Sequence, residues 1–231
     1  FRRLVNYGAK KNLCQPLRFT LTLPRVDNET TEHLTKEEAT RLMAVLDSWP
    51  SEEAPRMLKL ALFTGMRRGE IFKLQSRDLD FQHHLILLRN PKGGRDASIP
   101  MSVIARGILE RQIEYRDKVY PHSSYIFPGR DGQLRTDSSA VKRIKKAAEL
   151  PKNFRIFHGL RHHLAVTLAN SGEYTIDMIG ELLTHKSSAM TTRYAKYLPD
   201  TTKKAANRAA DLLQDHMSIN LAESEGGSDS L

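Results

Sequence analysis

Arginine, lysine, histidine and tyrosine side chains occur at four separated places in this 231-residue chain where their spacing suits chemistry on an anion. The first is Thr64-Gly-Met-Arg-Arg-Gly-Glu70, which follows an apolar run that ends at Gly65. Glu70 comes three residues after Arg67, so its carboxylate can fix the Arg67 guanidinium if the segment re-enters a helix. The alternative is an exposed helix end that carries an ordinary salt bridge.

Lys92 is the second candidate and lies in a glycine-rich turn sequence, Asn90-Pro-Lys-Gly-Gly-Arg-Asp96, between two apolar runs. A long cationic side chain on a flexible turn can reach into a groove or onto a phosphate. A solvated lysine is the more common occupant of such a turn, and the residue alone does not decide between the two.

The third candidate is the run His158-Gly-Leu-Arg-His-His163. On a helix, His158 and Arg161 are three residues apart and therefore face the same point. His158 and His162 are four apart, which zinc ligands also use. A zinc site needs a third ligand, however, and the sequence lacks the glutamate of a His-Glu-x-x-His site. Histidines that only cap and pack are the more common case, and we expect no metal here.

His185 and Tyr194 form the fourth candidate, a histidine and a phenol nine residues apart. They lie in the sequences Leu-Leu-Thr-His and Thr-Thr-Arg-Tyr. Taken alone, Tyr194 also fits an ordinary half-buried aromatic residue on an amphipathic stretch, and the nearby Tyr197 makes that interpretation reasonable.

The charge of the chain indicates what such side chains would meet. There are 36 Lys and Arg against 27 Asp and Glu, a net charge of +9. Residues 211–231 hold five acidic residues and no Lys or Arg, so the residues before them carry +14. A body this basic attracts a polyanion, either nucleic acid or an anionic membrane surface, although a merely solvated basic surface is the alternative.

Composition also excludes several classes of protein. The single cysteine, Cys14, excludes an intrachain disulfide scaffold and a cysteine-rich zinc module, and it favours a reducing compartment. No apolar run approaches the roughly 20 residues that cross a bilayer. We therefore expect a soluble intracellular protein that binds a polyanion and does not enter a membrane.

The elements that must position these residues are mostly helices. Thr35-Lys-Glu-Glu38 fits a capping box, and apolar residues at helical spacing follow it. A second apolar helix is expected at about Pro55 to Thr64. Helical patterns recur at about Ser102–Tyr120, Ser138–Leu150, His158–Asn170, Thr175–Leu183 and Thr201–His216.

Between Leu79 and Pro100 the apolar period changes to that of strands, on both sides of the turn that holds Lys92. This pattern predicts a hairpin or a three-stranded ribbon. The predicted fold class is therefore α+β and mainly α: a helical domain with one small antiparallel β-sheet.

Taken in order, the four segments resemble the catalytic domain of the tyrosine recombinases, also called the phage integrase family. The family's Thr-Gly-Leu-Arg-x-x-Glu corresponds to the segment of Arg67, and its His-x-Leu-Arg-His to the segment of Arg161. Its hairpin lysine, with proline eight residues later, corresponds to Lys92. Its histidine followed nine residues later by the nucleophilic tyrosine corresponds to His185 and Tyr194. The resemblance covers about residues 33–198.

The resemblance implies that Tyr194 attacks a DNA phosphodiester and forms a 3′-phosphotyrosyl bond. Such attack builds negative charge on the nonbridging oxygens, which Arg67 and Arg161 would stabilise with paired hydrogen bonds. His185 would donate a further hydrogen bond to these oxygens. His158 would orient the phosphate and assist removal of the phenol proton, which a group with a pKa near 10 retains at neutral pH.

Lys92 would protonate the departing 5′-oxygen, while Glu70 would serve as the structural partner of Arg67 and His162 as a supporting residue with an open role. No metal or other cofactor is implied, because side chains supply the cations. Thr184 departs from the family pattern, which has glycine before the histidine.

The family pattern also implies a domain organisation. Residues 1–26 would be the end of a preceding DNA-clamping domain with its linker, and residues 27–217 the catalytic domain. For residues 218–231, composition predicts a disordered acidic tail. The expected partner is double-stranded DNA, bound by a homo-oligomer, a tetramer on two DNA sites, with no membrane association. The expected location is the cytoplasm of a prokaryote, at the nucleoid.

The function predicted from the sequence is site-specific DNA recombination. A type IB topoisomerase is a close alternative, because it uses similar groups to relax supercoils. A basic DNA-binding protein without catalysis is another alternative, although it leaves the six ordered residues unexplained.

Overall fold

The computed structural model describes residues 2–17, 19, 32–89, 96–137, 139–185, 187–199, 209 and 211–213. The chain divides into two compact units, residues 1–30 and residues 31–231. In the first unit, helix α1 spans Arg2–Lys10. The second unit holds all the candidate residues that have a described position.

Helices are the main secondary structure in the described part of the second unit, as the sequence predicts. Six of them follow the expected apolar patterns, and the short helices α4 and α9 add to these. Their bounds are α2 Lys36–Ser48, α3 Glu53–Thr64, α4 Arg68–Lys73, α5 Val103–Val119, α6 Ser139–Ala147, α7 Ile156–Ser171, α8 Ile176–Leu182 and α9 Ala189–Thr192. Single 3-10 turns lie at Ser76–Asp78, Arg130–Gly132 and Ala195–Tyr197.

The three-stranded alternative for the sheet is confirmed. Strands β1 (Leu79–Asp80), β2 (Leu85–Leu88) and β3 (Ala97–Pro100) pair in the order β1-β2-β3, with both pairs antiparallel. Ile86 pairs with Ile99 across β2 and β3, and both side chains are buried. The segment between β2 and β3 that holds Lys92 lies outside the described residues.

Two helix boundaries have clear local causes. At the start of α2, the Thr35 hydroxyl accepts from the Glu38 N–H at 3.2 Å, and the Glu38 carboxylate accepts from the Thr35 N–H at 2.9 Å. This is the predicted capping box. Helix α3 ends at Gly65, whose φ of +66° lies in the left-handed region that glycine adopts without a steric penalty.

The core is centred on α3, which packs against α5 and α7. Leu58, Leu60 and Ala61 of α3 have no exposed surface. A smaller cluster joins α7 to α8 and to the segment after it, and it includes Leu183 and Tyr194. The short helices that carry the candidate residues are therefore anchored on the buried helices α3 and α7.

Several sequence predictions fall on residues that the structure does not describe. Of the helix expected at Thr201–His216, Ala209 and residues 211–213 are described, and they are helical. The acidic tail at 218–231 and most of the linker before residue 27 lie outside the described residues. Among the residues that are described, no helix combines the length and apolar character needed to span a membrane.

Gly65 tests whether the end of α3 is fixed by backbone conformation and close packing. A Cβ at this position would lie 2.6 Å from Leu183 Cδ2. We expect Gly65→Ala to lower the free energy of unfolding by about 2–4 kcal/mol, the sum of left-handed strain and overpacking. Urea unfolding measures this change. Gly69→Ala is the matched control, because a Cβ there meets nothing within 4 Å and Gly69 lies in α4; it should be neutral or slightly stabilising.

Candidate active site

Arg67 lies between α3 and α4, one residue before α4 begins. Glu70 on the first turn of α4 holds it twice: its carboxylate accepts from the Arg67 backbone N–H at 2.7 Å and from Nη1 at 2.8 Å. Nη1 also lies 3.4 Å from the Thr184 hydroxyl. The ion pair that the sequence spacing suggests is present, and it fixes the guanidinium at one end of a short helix.

Arg161 lies on α7 and is 6% exposed. Its Nη1 donates to the Gly65 carbonyl at 2.6 Å, and its Nη2 donates to the Leu183 carbonyl. Burial, followed by the charge of Arg67, lowers the pKa of Arg161 to about 10, so the group stays protonated at neutral pH. A guanidinium has five N–H donors, and the bonds to the two carbonyls leave others for an anion.

His185 follows the end of α8 and is held by α9. Its Nδ1 lies 2.7 Å from the Thr191 hydroxyl. The close approach of the two helices depends on Gly180, where a Cβ would lie 2.8 Å from that hydroxyl oxygen. When Thr191 donates to Nδ1, Nε2 of the neutral ring carries the proton and can donate to a bound group.

Tyr194 is held between two histidines and has only 1% of its surface exposed. Its hydroxyl hydrogen-bonds to Nδ1 of His162. The other ring nitrogen of His162, Nε2, lies 2.8 Å from Nε2 of His158. On the other side the His185 ring lies nearly parallel to the Tyr194 ring, with centroids 6.4 Å apart and planes 12° from parallel. The phenol therefore ends a row of hydrogen bonds that runs from His158 through His162.

Burial sets the protonation states in this row. It raises the pKa of Tyr194 to about 12, and the phenol therefore keeps its proton at neutral pH. Burial also lowers the pKa of His162 to about 3, with the neighbouring His158 as the second cause. A neutral His162 can accept the phenol hydrogen at Nδ1 while it donates from Nε2. The pKa of His185 is lowered to about 3, again chiefly by burial and then by Arg161 and Arg67.

These side chains lie around one cavity of about 770 Å³. It is lined by Arg67, His158, Arg161, His162, His185 and Tyr194. Five more Lys and Arg side chains, and no Asp or Glu of the described residues, also line it: Arg68, Lys142, Lys145, Arg155 and Arg193. The arrangement can bind a phosphate group in a basic cavity that has a buried phenol in its wall.

Seven of the eight side chains predicted from the sequence have a described position, and six of those line this cavity. Glu70 lies behind Arg67, while Lys92 lies outside the described residues. Tyr197 packs edge-on to His33, with centroids 5.3 Å apart. Among the described residues, no group of three or more His, Cys, Asp or Glu is placed to hold a metal ion.

The sequence interpretation missed two features of the cavity. It left His162 without a role, whereas His162, and not His158, is the residue that contacts the Tyr194 hydroxyl. It also gave no role to Lys142 and Lys145 of α6, which line the cavity. The signal for these lysines was present, because Lys142 and Lys145 are three residues apart on a predicted helix and therefore share a face.

The fold is that of the catalytic domains of tyrosine recombinases. It is similar to the XerH site-specific recombinase in a complex with palindromic difH substrate, with a TM-score of 0.69, 22% identity, and coverage of 88% of this chain and 63% of that one. It is also similar to the catalytic domain of bacteriophage HP1 integrase, with a TM-score of 0.56, 24% identity, and coverage of 77% and 95%.

The chain belongs to the phage integrase family, whose family model matches residues 32–200. Tyrosine recombinase XerA of Thermococcus onnurineus is 28% identical over 191 residues, which are 80% of this chain and 65% of the relative. Tyrosine recombinase XerC of Pseudomonas aeruginosa is 28% identical over 179 residues, 75% of this chain and 58% of the relative. The chain thus spans about two thirds or less of the length of these relatives.

The buried histidines predict how stability depends on pH. In the unfolded chain a histidine has a pKa near 6.5, whereas His185 has a pKa of about 3 when folded. The stabilisation from a neutral His185 is therefore complete above about pH 6.5 and is lost as the pH falls towards 3. We expect the melting temperature to fall between pH 7.5 and pH 5, and to fall less in His185→Gln. The exposed His122 provides the control, His122→Gln, which should behave as the wild type does; an unchanged pH dependence in His185→Gln would contradict the assignment.

Proposed function

We propose that this chain is the catalytic part of a site-specific DNA recombinase, which cleaves and rejoins strands through a 3′-phosphotyrosyl intermediate. The observation that carries the proposal is the convergence of the Tyr194 phenol, two held guanidinium groups and His185 on one basic cavity. Family membership supports it, as does the similarity to XerH, a recombinase whose structure was solved with its difH substrate. The proposed partner is therefore double-stranded DNA.

In the proposed reaction, the Tyr194 oxygen forms a bond to phosphorus and the bond to the 5′-oxygen breaks. Arg67, Arg161 and His185 stabilise the charge that grows on the nonbridging oxygens. We assign protonation of the departing 5′-oxygen to Lys92, by resemblance to the family. Rejoining reverses the step, and the covalent bond conserves the energy needed for it.

We assign to His162 the role of accepting the phenol proton of Tyr194 during attack. The contact between the phenol and Nδ1 supports this, because a neutral His162 ring can accept the phenol hydrogen there. His158, bonded to Nε2 of His162, completes the row and stabilises the proton after transfer. This differs from the role that the family pattern gives His158, because His162 stands between it and the phenol.

Tyr194 is almost fully buried in the described arrangement, and we interpret this as a resting state. Cleavage then requires the α9 segment to move so that the phenol meets the phosphate. The other cavity cations, including Lys142, Lys145 and Arg155, would hold the DNA backbone on either side of the scissile phosphate.

We also infer that the chain acts as a homo-oligomer, a tetramer on two DNA sites. Support comes from Leu212 and Leu213, which lie in helical backbone and are 44% and 65% exposed. Two adjacent exposed leucines are suited to burial against a second subunit.

Covalent capture tests the nucleophile. The substrate is a nicked duplex that carries a site selected from genomic DNA by binding to the protein. The nick lets the cleaved end diffuse away, which traps the adduct. The wild type should form a denaturation-resistant protein–DNA adduct, and Tyr194→Phe should abolish it, because phenylalanine lacks the attacking oxygen. Tyr197→Phe is the matched control and should still form the adduct. An adduct with Tyr194→Phe but none with Tyr197→Phe would show that Tyr197 is the nucleophile. Relaxation of a plasmid without the site would favour a topoisomerase.

The pH dependence of cleavage tests His162. Without an internal base, the rate follows the phenolate fraction and rises about tenfold per pH unit below the Tyr194 pKa of about 12. His162→Gln keeps a hydrogen-bond acceptor but cannot take the proton. We expect its single-turnover rate at pH 7 to fall about 100-fold and to rise with pH more steeply than that of the wild type. Parallel pH profiles for the two proteins would contradict the role of His162 as base.

A further inference from the structure

We propose that Thr184 is a positioning residue, which uses its hydroxyl to hold Arg67 from a backbone conformation that glycine would adopt more easily. The inference rests on the proposed function and extends it to the residue that precedes His185. It is carried by the geometry of the turn that ends α8 and by the contacts of that turn with both arginines.

The turn has the two hydrogen bonds of a Schellman motif. The Thr184 N–H donates to the Glu181 carbonyl at 2.9 Å, and the His185 N–H donates to the Gly180 carbonyl at 2.9 Å. In this motif the residue that donates the first of these two bonds has a left-handed backbone and is usually glycine. Thr184 takes that place, with φ at +50°.

Threonine is an unfavourable residue for this conformation, because a branched Cβ crowds the backbone when φ is positive. Four other non-glycine residues of the described chain have positive φ: Asn12, His84, Asp131 and Glu149. Thr184 is the one β-branched residue among these described positions. Strained residues of this kind cluster at functional sites, and here the strained residue adjoins His185 and contacts Arg67.

The hydroxyl is what threonine adds to the turn. Thr184 Oγ1 lies 3.4 Å from Arg67 Nη1, the same nitrogen that donates to Glu70. An Nη carries two hydrogens, so Glu70 on α4 and Thr184 after α8 can each accept one. Glycine would complete the turn equally well but would leave the Arg67 guanidinium held from one side only.

Leu183, the residue before Thr184, holds the other arginine, Arg161. The Leu183 carbonyl accepts from Arg161 Nη2. Successive residues 183, 184 and 185 thus provide an acceptor for Arg161, an acceptor for Arg67 and the histidine of the cavity. Because the three are consecutive, the turn fixes the relative positions of all three groups, and the Thr184 hydroxyl is its link to Arg67.

Three substitutions separate the hydroxyl from the backbone. Thr184→Val keeps the branched shape and loses the hydroxyl, Thr184→Ser keeps the hydroxyl and loses the branch, and Thr184→Gly loses both. The first measurement is the single-turnover rate of adduct formation at saturating nicked DNA. We expect the valine and glycine variants to be about 5–10-fold slower, a modest loss for a contact as long as 3.4 Å, and serine to restore the rate to within about twofold.

The second measurement is the melting temperature. If Thr184 had a purely structural role, the melting temperature and the rate would change in the same direction. Relief of the left-handed strain should raise the melting temperature of Thr184→Gly by about 2–6 °C, whereas Thr184→Val should lower it, because valine keeps the strain and loses the contact with Arg67. A glycine variant that is more stable yet slower supports the positioning role. A glycine variant that is more stable and as fast as the wild type would overturn it.

A third measurement does not depend on cleavage. Thr184→Val and Arg67→Met, made singly and together, give a double-mutant cycle in melting temperature without DNA. We expect the shift of the double variant to be smaller than the sum of the single shifts, because both remove the same contact. Additive shifts would overturn the proposal even if the wild type cleaves DNA. Absence of an adduct in the wild type would instead overturn the proposed function, and the positioning role with it, while non-additive shifts would still establish the contact.

Discussion

The arrangement of the cavity depends on one buried guanidinium. Arg161 projects from α7 and donates to the Gly65 carbonyl, where α3 ends, and to the Leu183 carbonyl, where α8 ends. Carbonyls at helix C-termini lack intrahelical partners and carry partial negative charge, so they suit a buried cation. The same side chain that would meet a phosphate therefore sets the separation of the two helix ends that carry Arg67 and His185.

Such a cavity is electrostatically incomplete without an anion. Seven Lys and Arg side chains line it, and the described residues contribute no Asp or Glu to its wall. Burial and the neighbouring Arg67 charge lower the pKa of Arg161, which shows that its protonated form is less favourable here than in water. A phosphate that enters offsets part of the repulsion among these cations. The empty cavity is therefore less stable than it could be, and this favours anion binding.

Features with a local cause could be predicted from the sequence, and features set by tertiary packing could not. The capping box at Thr35 and the end of α3 at Gly65 follow from neighbouring residue types, and the structure shows both. The contact between His162 and Tyr194 joins residues 32 positions apart and depends on how α9 packs against α7 and α8. The left-handed backbone at Thr184 contradicts its local preference, because the turn is imposed by the helix end and the contacts around it.

The burial of Tyr194 connects stability with the control of chemistry. Its ring belongs to the small core cluster of α7 and α8, so bringing the phenol to a phosphate exposes apolar surface at a cost of about 1.5–3 kcal/mol. The hydrogen bond to His162 must also be exchanged or carried along. Phosphate contacts across a basic cavity can offset a cost of this size, whereas water cannot. In the proposed reaction, a phenol stored in the core would become a nucleophile only when DNA occupies the cavity, and cleavage would be limited to the bound complex.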